Sequence, residues 1–388
     1  MFRSYVEYLR ERLHESLAGF PAWVENSLST LLDLFTGPFT GLKTRYYWPD
    51  VLASLLIVLL IYILRKQTPQ RLTLQGFLRF CFPKDLFTHP STVLDYKLNV
   101  ANYFFAGSFN VFWRLNTAFM TAVVLSGLTF AFGPPAPILQ WGLATLAVFT
   151  ILMAAMEDLG YYWMHYACHK VPMLWAFHKL HHSAEVLTPL AAARVHPVEL
   201  AITGPCKSAA MALLAAPALY VFVGEPTFVE IFGMNLALWI FGALGNQLHH
   251  SHIWISWGPK IERILISPAQ HQVHHSIAPE HWDKNFAANF AIWDWMFGTL
   301  YVTSAREQIT YGVAGSQSQV PSPQVHNGLI SAYLLPFWDA IPRTVRRPIT
   351  ASLNRVLRGL ALPPMVTYPA SEPNMASSLG SQSTTVQD

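Results

Sequence analysis

Charge is scarce in this chain. Asp, Glu, Lys and Arg make up 12% of its 388 residues, about half the share in an average soluble domain. That is too little to coat a fully water-surrounded globule of this size. Cysteine is scarce too: Cys81, Cys168 and Cys206 are odd in number and far apart, so no disulfide framework is implied. No compositional bias or short period marks the body of the chain, which excludes collagen-like and disordered classes. The N-terminus, MFRSYVEYLRERLHESL, mixes Glu with Arg and has no continuous apolar core, unlike a cleavable signal peptide. A net charge of +3 gives no reason to expect nucleic acid.

Apolar residues are abundant. They reach 52%, aromatics 14%, and mean hydropathy is +0.30, which points to an integral membrane protein. A bilayer crossing needs about 20 apolar helical residues. The first candidate lies near Tyr46 to Leu64, with Pro49 and Asp50 interrupting its start. Between Arg114 and Glu157 lie 42 residues without a formal charge. Pro134, Pro135 and Pro137 divide them into 115–133 and 138–156, the two limbs of a hairpin. Two more candidates follow at about 200–224 and 231–248. The expected architecture is an all-α bundle of four to five spans. Segment 1–45 reads as an amphipathic interfacial helix, with Val6, Leu9, Leu13 and Leu17 near one face; a helix packed on the rest of the protein fits the same pattern. Segment 46–302 is the membrane-embedded domain, 303–368 a C-terminal extension, and 369–388 a tail of disordered composition. The 65–114 connection holds seven basic residues against Asp85 and Asp95, and the turns 134–137 and 225–230 hold none. The positive-inside bias therefore places 65–114 on the cytoplasmic side.

Histidine carries the chemistry. Thirteen of sixteen lie between His165 and His281, where even scattering would place about five. His165 and His169 are one helical turn apart. His178, His181 and His182 repeat the idea at i, i+3, i+4, as do His271, His274 and His275. His249, His250 and His252 form a looser group. Single histidines are usually ordinary polar residues, and His14, His89 and His326 are read so. Three spaced boxes are not ordinary. Neutral imidazoles bind first-row metals well, and eight or more exceed the four ligands that close a structural zinc site, so two ions are expected. Two spans between the second and third boxes return the chain to one face, forming a helical cap that carries all three boxes.

The ordered motifs carry a resemblance. Asp158-x-x-Tyr161-Tyr162-Trp163-x-His165-x-x-x-His169, Leu174-Trp175-x-x-His178-x-x-His181-His182-Ser183, and SPAQHQVHHS followed by Asp283-x-Asn285 and Trp293-Asp294-x-x-Phe297-Gly298-Thr299 resemble the fatty acid hydroxylase/sterol desaturase superfamily over about 157–300. The resemblance implies a membrane-embedded non-haem di-iron enzyme that uses dioxygen and external electrons to hydroxylate or desaturate a lipid. By resemblance the metal ligands are His165, His169, His178, His181, His182, His271, His274 and His275. His250 best matches an additional single histidine, with His249 and His252 as substitutes. Tyr166 replaces a common Arg, and Phe286-Ala287 replaces the usual Tyr-Gly. Asp158, seven residues before His165, is a candidate to orient an imidazole; Asp283 and Asn285 are candidate supports or turn residues. His196, in Arg194-Val195-His196-Pro197, is a candidate ligand, ligand partner or substrate contact. Cys168 reads as a buried thiol. No haem or flavin module is attached, so a separate donor such as a ferredoxin or b-type cytochrome is implied. The host membrane is a bacterial inner membrane or the endoplasmic reticulum. Two rival classes are a membrane metal transporter or metal-binding protein, whose ionisable residues would line the spans, and a zinc hydrolase of HExxH type, a motif that does not occur here.

Overall fold

The computed structural model describes residues 48–64, 72–224, 230–231, 234–235, 240, 246–313, 326 and 328–359. The expected N-terminal interfacial helix and C-terminal tail lie outside them. The regular secondary structure of the described residues is helical apart from isolated bridges and one two-residue antiparallel pair, Glu230–Ile231 with Met234–Asn235. It divides into two compact units, the first built from residues up to 81, 142–151 and 227–248, the second from the remainder.

In the first unit, α1 (Trp48–Leu64) and α2 (Leu74–Cys81) meet where the Tyr62 ring stands 5.6 and 5.5 Å from Phe77 and Phe80. Leu52, Leu56, Leu60 and Ile63 on α1 remain exposed. Span 231–248 does not begin as the expected helix. Its first residues turn back on themselves in the Ile231↔Met234 pairing.

The second unit differs from expectation at its start. The 65–114 connection is largely helical: after α2, α3 (Lys84–Phe87) leads into α4 (Pro90–Phe132), a single 43-residue helix. His89 caps it by accepting the Ser91 N–H at 3.2 Å, and Pro90 follows at the first helical position, where its missing N–H costs nothing. Asp95 and Lys97 are compatible with a helix interior, so charge there marked a solvent or partner face and no break. After Gly133 (φ +89°) the prolines hold the chain extended. The next helix starts at Leu143, five residues later than expected, because the backbone at 138–139 pairs with the end of a later helix: Ile138 and Leu139 N–H donate to Val221 O, and Val223 N–H donates to Leu139 O.

α5 (Leu143–Lys170) runs unbroken from its apolar start through the first histidine box. A turn at Val171 leads to α6 (Pro172–His182), which carries the second. α7 (Pro197–Val221) packs along α4, with Thr117 Oγ1 2.8 Å from Ser208 Oγ. Gly160 on α5 permits a close helix crossing, since a Cβ there would sit 2.6 Å from the Cys206 carbonyl oxygen. α8 (Pro268–His274) carries the third box and starts with a full capping box: Ser267 Oγ accepts the Gln270 N–H while Gln270 Oε1 accepts the Ser267 N–H. Short α9 (Ile292–Met296), then α10 (Leu329–Ala340) and α11 (Arg343–Gly359), complete the unit. Ala332, Leu329 and Tyr333 of α10 join Leu94, Leu98 and Leu180 in one core cluster, so part of the expected C-terminal extension buries the back of α6. α5 and α7 are long and apolar enough to cross a bilayer; Asp50–Leu64 and Thr117–Phe132 are shorter apolar stretches.

Candidate metal centre

The second unit brings nine buried histidines together in two abutting groups. His165, His169, His178, His182 and His274 form the first, and His181, His250, His271 and His275 the second; within each, the facing nitrogens lie within 4.8 Å of one another. Helical geometry explains the division. Residues i and i+4 differ by about 40° around a helix, whereas i+3 and i+4 differ by about 100°. On α6, His178 and His182 therefore go to the first group and His181 to the second. On α8 the roles reverse: His271 and His275 go to the second group and His274 to the first. The groups touch through His182 and His275, whose rings stack at 4.6 Å.

Hydrogen bonds fix which nitrogen faces inward. His165 Nδ1 lies 2.7 Å from Phe286 O and His274 Nδ1 2.7 Å from Lys284 O; a carbonyl only accepts, so both Nδ1 atoms carry the proton. His178 Nδ1 stands 2.9 Å from Glu199 Oε1. All three rings therefore turn an unprotonated Nε2 inward, and His165 and His178 Nε2 are 3.0 Å apart. His182 Nε2 is 3.1 Å from both His169 and His178 Nε2. In the second group His250 Nε2 lies 3.2, 3.0 and 3.1 Å from the Nε2 atoms of His181, His271 and His275. Two acceptor lone pairs this close repel unless a cation lies between them. Donors about 2.1 Å from one ion and at right angles to each other stand about 3.0 Å apart. The His274 Nε2 atom is also buried without a hydrogen-bond partner among the described residues. The donor set fits a transition-metal ion in each group.

Burial favours the neutral form of several of these rings, the form that metal ligation requires. It pushes His274 down to about 3. Burial first, and neighbouring imidazoles second, hold His182, His271 and His275 well below the ordinary histidine range. Apolar rings close the first group: Phe286 stands 4.9 Å from His169 and 5.5 Å from His165, and Trp175 5.1 Å from His169. The substituted position Phe286 thus lies against the site.

The other sequence candidates do different work. Asp158 reaches no imidazole. Its carboxylate accepts the N–H groups of Ala288 (3.1 Å), Asn289 (3.0 Å) and Phe290 (2.8 Å). Buried Asp294 takes the two preceding ones, Phe286 (2.8 Å) and Ala287 (2.9 Å), together with the Thr299 hydroxyl (2.6 Å). Two carboxylates thus grip five consecutive N–H groups of the loop whose Phe286 carbonyl holds His165. Asp283 joins Lys170 at 2.6 Å, with His169 Nδ1 at 3.7 Å. Asn285, in the left-handed region (φ +56°), braces the same loop through Gln270 O and the Tyr301 N–H. His196 stands apart from both groups: Nδ1 accepts the Val198 N–H at 3.1 Å, capping α7, and Nε2 donates to Tyr333 O at 3.0 Å. No nitrogen remains for a metal. His249 stacks on His271 at 5.1 Å, and His252 lines a separate polar cavity with Trp254 and Gln272. Cys168 is buried.

Sequence reasoning missed Glu199, Asp294 and Glu262 as supports. Glu199 sits in the first turn of an otherwise apolar helix. Asp294 lies within an aromatic run, IWDWMF. Glu262, fully buried, accepts from Ser256, Ser267 and Thr303 and anchors the start of α8. A lone carboxylate in an apolar neighbourhood was the available signal. The carbonyls of Phe286 and Lys284 left none.

Residues 150–299 match the model of the fatty acid hydroxylase family. An alkylglycerol monooxygenase of Danio rerio is 34% identical over 45% of this chain and 32% of its own length. An ornithine lipid hydroxylase of Rhizobium tropici is 26% identical over 45% of this chain and 48% of its own. A Delta(7)-sterol 5(6)-desaturase of Gibberella zeae is 33% identical over 35% and 38%. The chain therefore spans less than half the length of these relatives. No solved structure matches it.

Proposed function

We propose that this chain, whose residues 150–299 match the fatty acid hydroxylase family, belongs to the fatty acid hydroxylase/sterol desaturase superfamily and is a membrane-bound lipid oxygenase holding two iron ions in its paired histidine groups. The observation that carries the reading is the sorting of nine buried imidazoles into adjoining sets of five and four, with facing nitrogens within 4.8 Å and several pairs of them 3.0–3.2 Å apart. Two adjacent ions of variable valence would supply dioxygen activation and oxidation of an unactivated C–H bond. In hydroxylation, R–H, O2, two electrons and two protons give R–OH and water. In desaturation, the same oxidant and electrons remove two hydrogens and leave two waters. A separate donor, a ferredoxin or a b-type cytochrome with its reductase, supplies the electrons.

The chain's own part is positioning. Phe286 and Lys284 carbonyls and the Glu199 carboxylate hold three rings with Nε2 inward. Phe286 and Trp175 exclude water from that side. The apolar character and spanning length of α5 and α7 support a site that an alkyl chain or sterol enters from the lipid phase. The domain 46–302 is read as the catalytic body, with the site at the cytoplasmic face.

Metal analysis of the purified chain, dioxygen uptake with a reducing system, and lipid profiling of cells with and without the protein test this. The expected results are two irons per chain and one lipid class whose mass rises by one oxygen or falls by two hydrogens. His274→Ala should abolish turnover and lower iron content. Retained turnover, or transport of an ion without oxygen uptake, refutes the reading.

A further inference from the structure

The last two described helices carry a surface the metal centre does not use. α11 holds arginines at 343, 346, 347, 355 and 358 and no acidic residue. Val345, Ile349 and Leu353 recur every fourth position and form one stripe, exposed at 51, 40 and 40%. Among the described side chains of α11, the buried ones are polar: Arg346, paired with Asp339, and Thr350, which donates to Arg346 O. In water a surface helix turns its apolar stripe into the protein and its charges outward. Here the apolar stripe faces out beside a polar contact, which suits an apolar medium. α10, which packs Ala332 into the core, also leaves Ile330, Leu334 and Phe337 exposed at 77, 63 and 51%.

We propose that α11 lies on an anionic bilayer surface, its Val345–Ile349–Leu353 stripe among the acyl chains and exposed Arg347 and Arg355 against the lipid phosphates. Charge selects this occupant. Five like charges on a 17-residue helix repel the same helix of a second copy and attract anionic headgroups. The inference rests on the membrane reading given above. It also bears on the site: Asp339 joins Arg346 to Lys179 of α6, between His178 and His181, so the helix resting on the lipid braces the second histidine box.

The test uses the full chain in vesicles of phosphatidylcholine mixed with phosphatidylglycerol. Fluorophores are attached at Ile349→Cys and at Ala351→Cys, which lies about 200° further around the helix. A third probe at Leu213→Cys, exposed on α7, reports span insertion, and the labelled unsubstituted chain gives the background of Cys81, Cys168 and Cys206. The expected result is several-fold stronger quenching at 349 than at 351 by nitroxide on the lipid, and the reverse with aqueous acrylamide. The lipid quenching should fall several-fold in Arg347→Glu/Arg355→Glu. Equal accessibility of 349 and 351, or shielding of 349 from acrylamide without lipid quenching, overturns the inference; the latter means a protein occupant. If the Leu213 probe is also unquenched by lipid, the membrane reading itself fails; if only 349 fails, this inference alone does.

Discussion

Replacing Asp294 by Asn should unload one metal and spare the other. The Asp294 carboxylate accepts Phe286 N–H and Thr299 Oγ1–H on Oδ1, and Ala287 N–H on Oδ2. Asparagine in its less costly orientation keeps the Oδ1 contacts and sets an NH2 against the Ala287 N–H, two donors face to face. Loss of a hydrogen bond to a charged acceptor costs about 1.5–3 kcal/mol, and stranding a buried donor about 1–3 kcal/mol. Burial holds the Asp294 carboxyl above its ordinary range, against the opposing pull of the Thr299, Ala287 and Phe286 donors. The carboxylate's advantage as a charged acceptor is reduced by that burial, and the lower half of the combined range, about 2.5–4 kcal/mol, is expected. That strain falls on residue 286, whose carbonyl fixes His165. Outer supports of this kind are worth about 10–100-fold in metal affinity. In the second group the Nδ1 atoms of His271 and His275 have no partner among the described residues, so neither of these rings is held by the 286–290 loop. Anaerobic iron titration of the stripped protein should show the two sites separating by 10–100-fold, and desalted protein should retain about one iron. Equal weakening of both sites, or two irons held as in the parent, would refute the loop as the link.

Three further outcomes follow from named contacts. His196→Ala should lower stability by about 0.5–2 kcal/mol, the worth of a helix cap, with iron content unchanged; loss of iron would restore His196 as a ligand. His326 is fully buried and held down from 6.5 to about 4, chiefly by burial and next by the charge of Lys179. Its folded pKa lies below the unfolded value, so stability is undiminished above pH 6.5 and falls as pH drops from 6.5 towards 4, by about 3 kcal/mol at full extent. His326→Asn should flatten that part of the stability–pH curve relative to the parent; an identical curve counts against it. Gly160→Ala pushes a methyl group into the Cys206 carbonyl and should cost about 1–3 kcal/mol as overpacking, read as a lower melting temperature; no change would mean the α5–α7 crossing is looser than 2.6 Å implies.

The sequence by itself determined which imidazoles share a helix face, because i, i+3 and i+4 spacing is a local property of one helix. It also determined the apolar character of α5 and α7, since hydropathy needs no partner. It did not determine that the second and third boxes are each divided between the two histidine groups while the first box stays whole: α6 and α8 must first meet, and their relative rotation decides which pair of each of these two boxes turns to which side. Asp158 illustrates the same limit. Its helical phase matched His165, yet its partners are three N–H groups about 130 residues downstream, and backbone donors carry no mark in a sequence. The sequence leaves His196 open as a ligand, a ligand partner or a substrate contact; in the fold Val198 and Tyr333 take both its nitrogens. The late start of α5 was likewise decided by backbone pairing with the far end of α7. Periodicity is written residue by residue; hydrogen-bond partners distant along the chain exist only once the chain has folded.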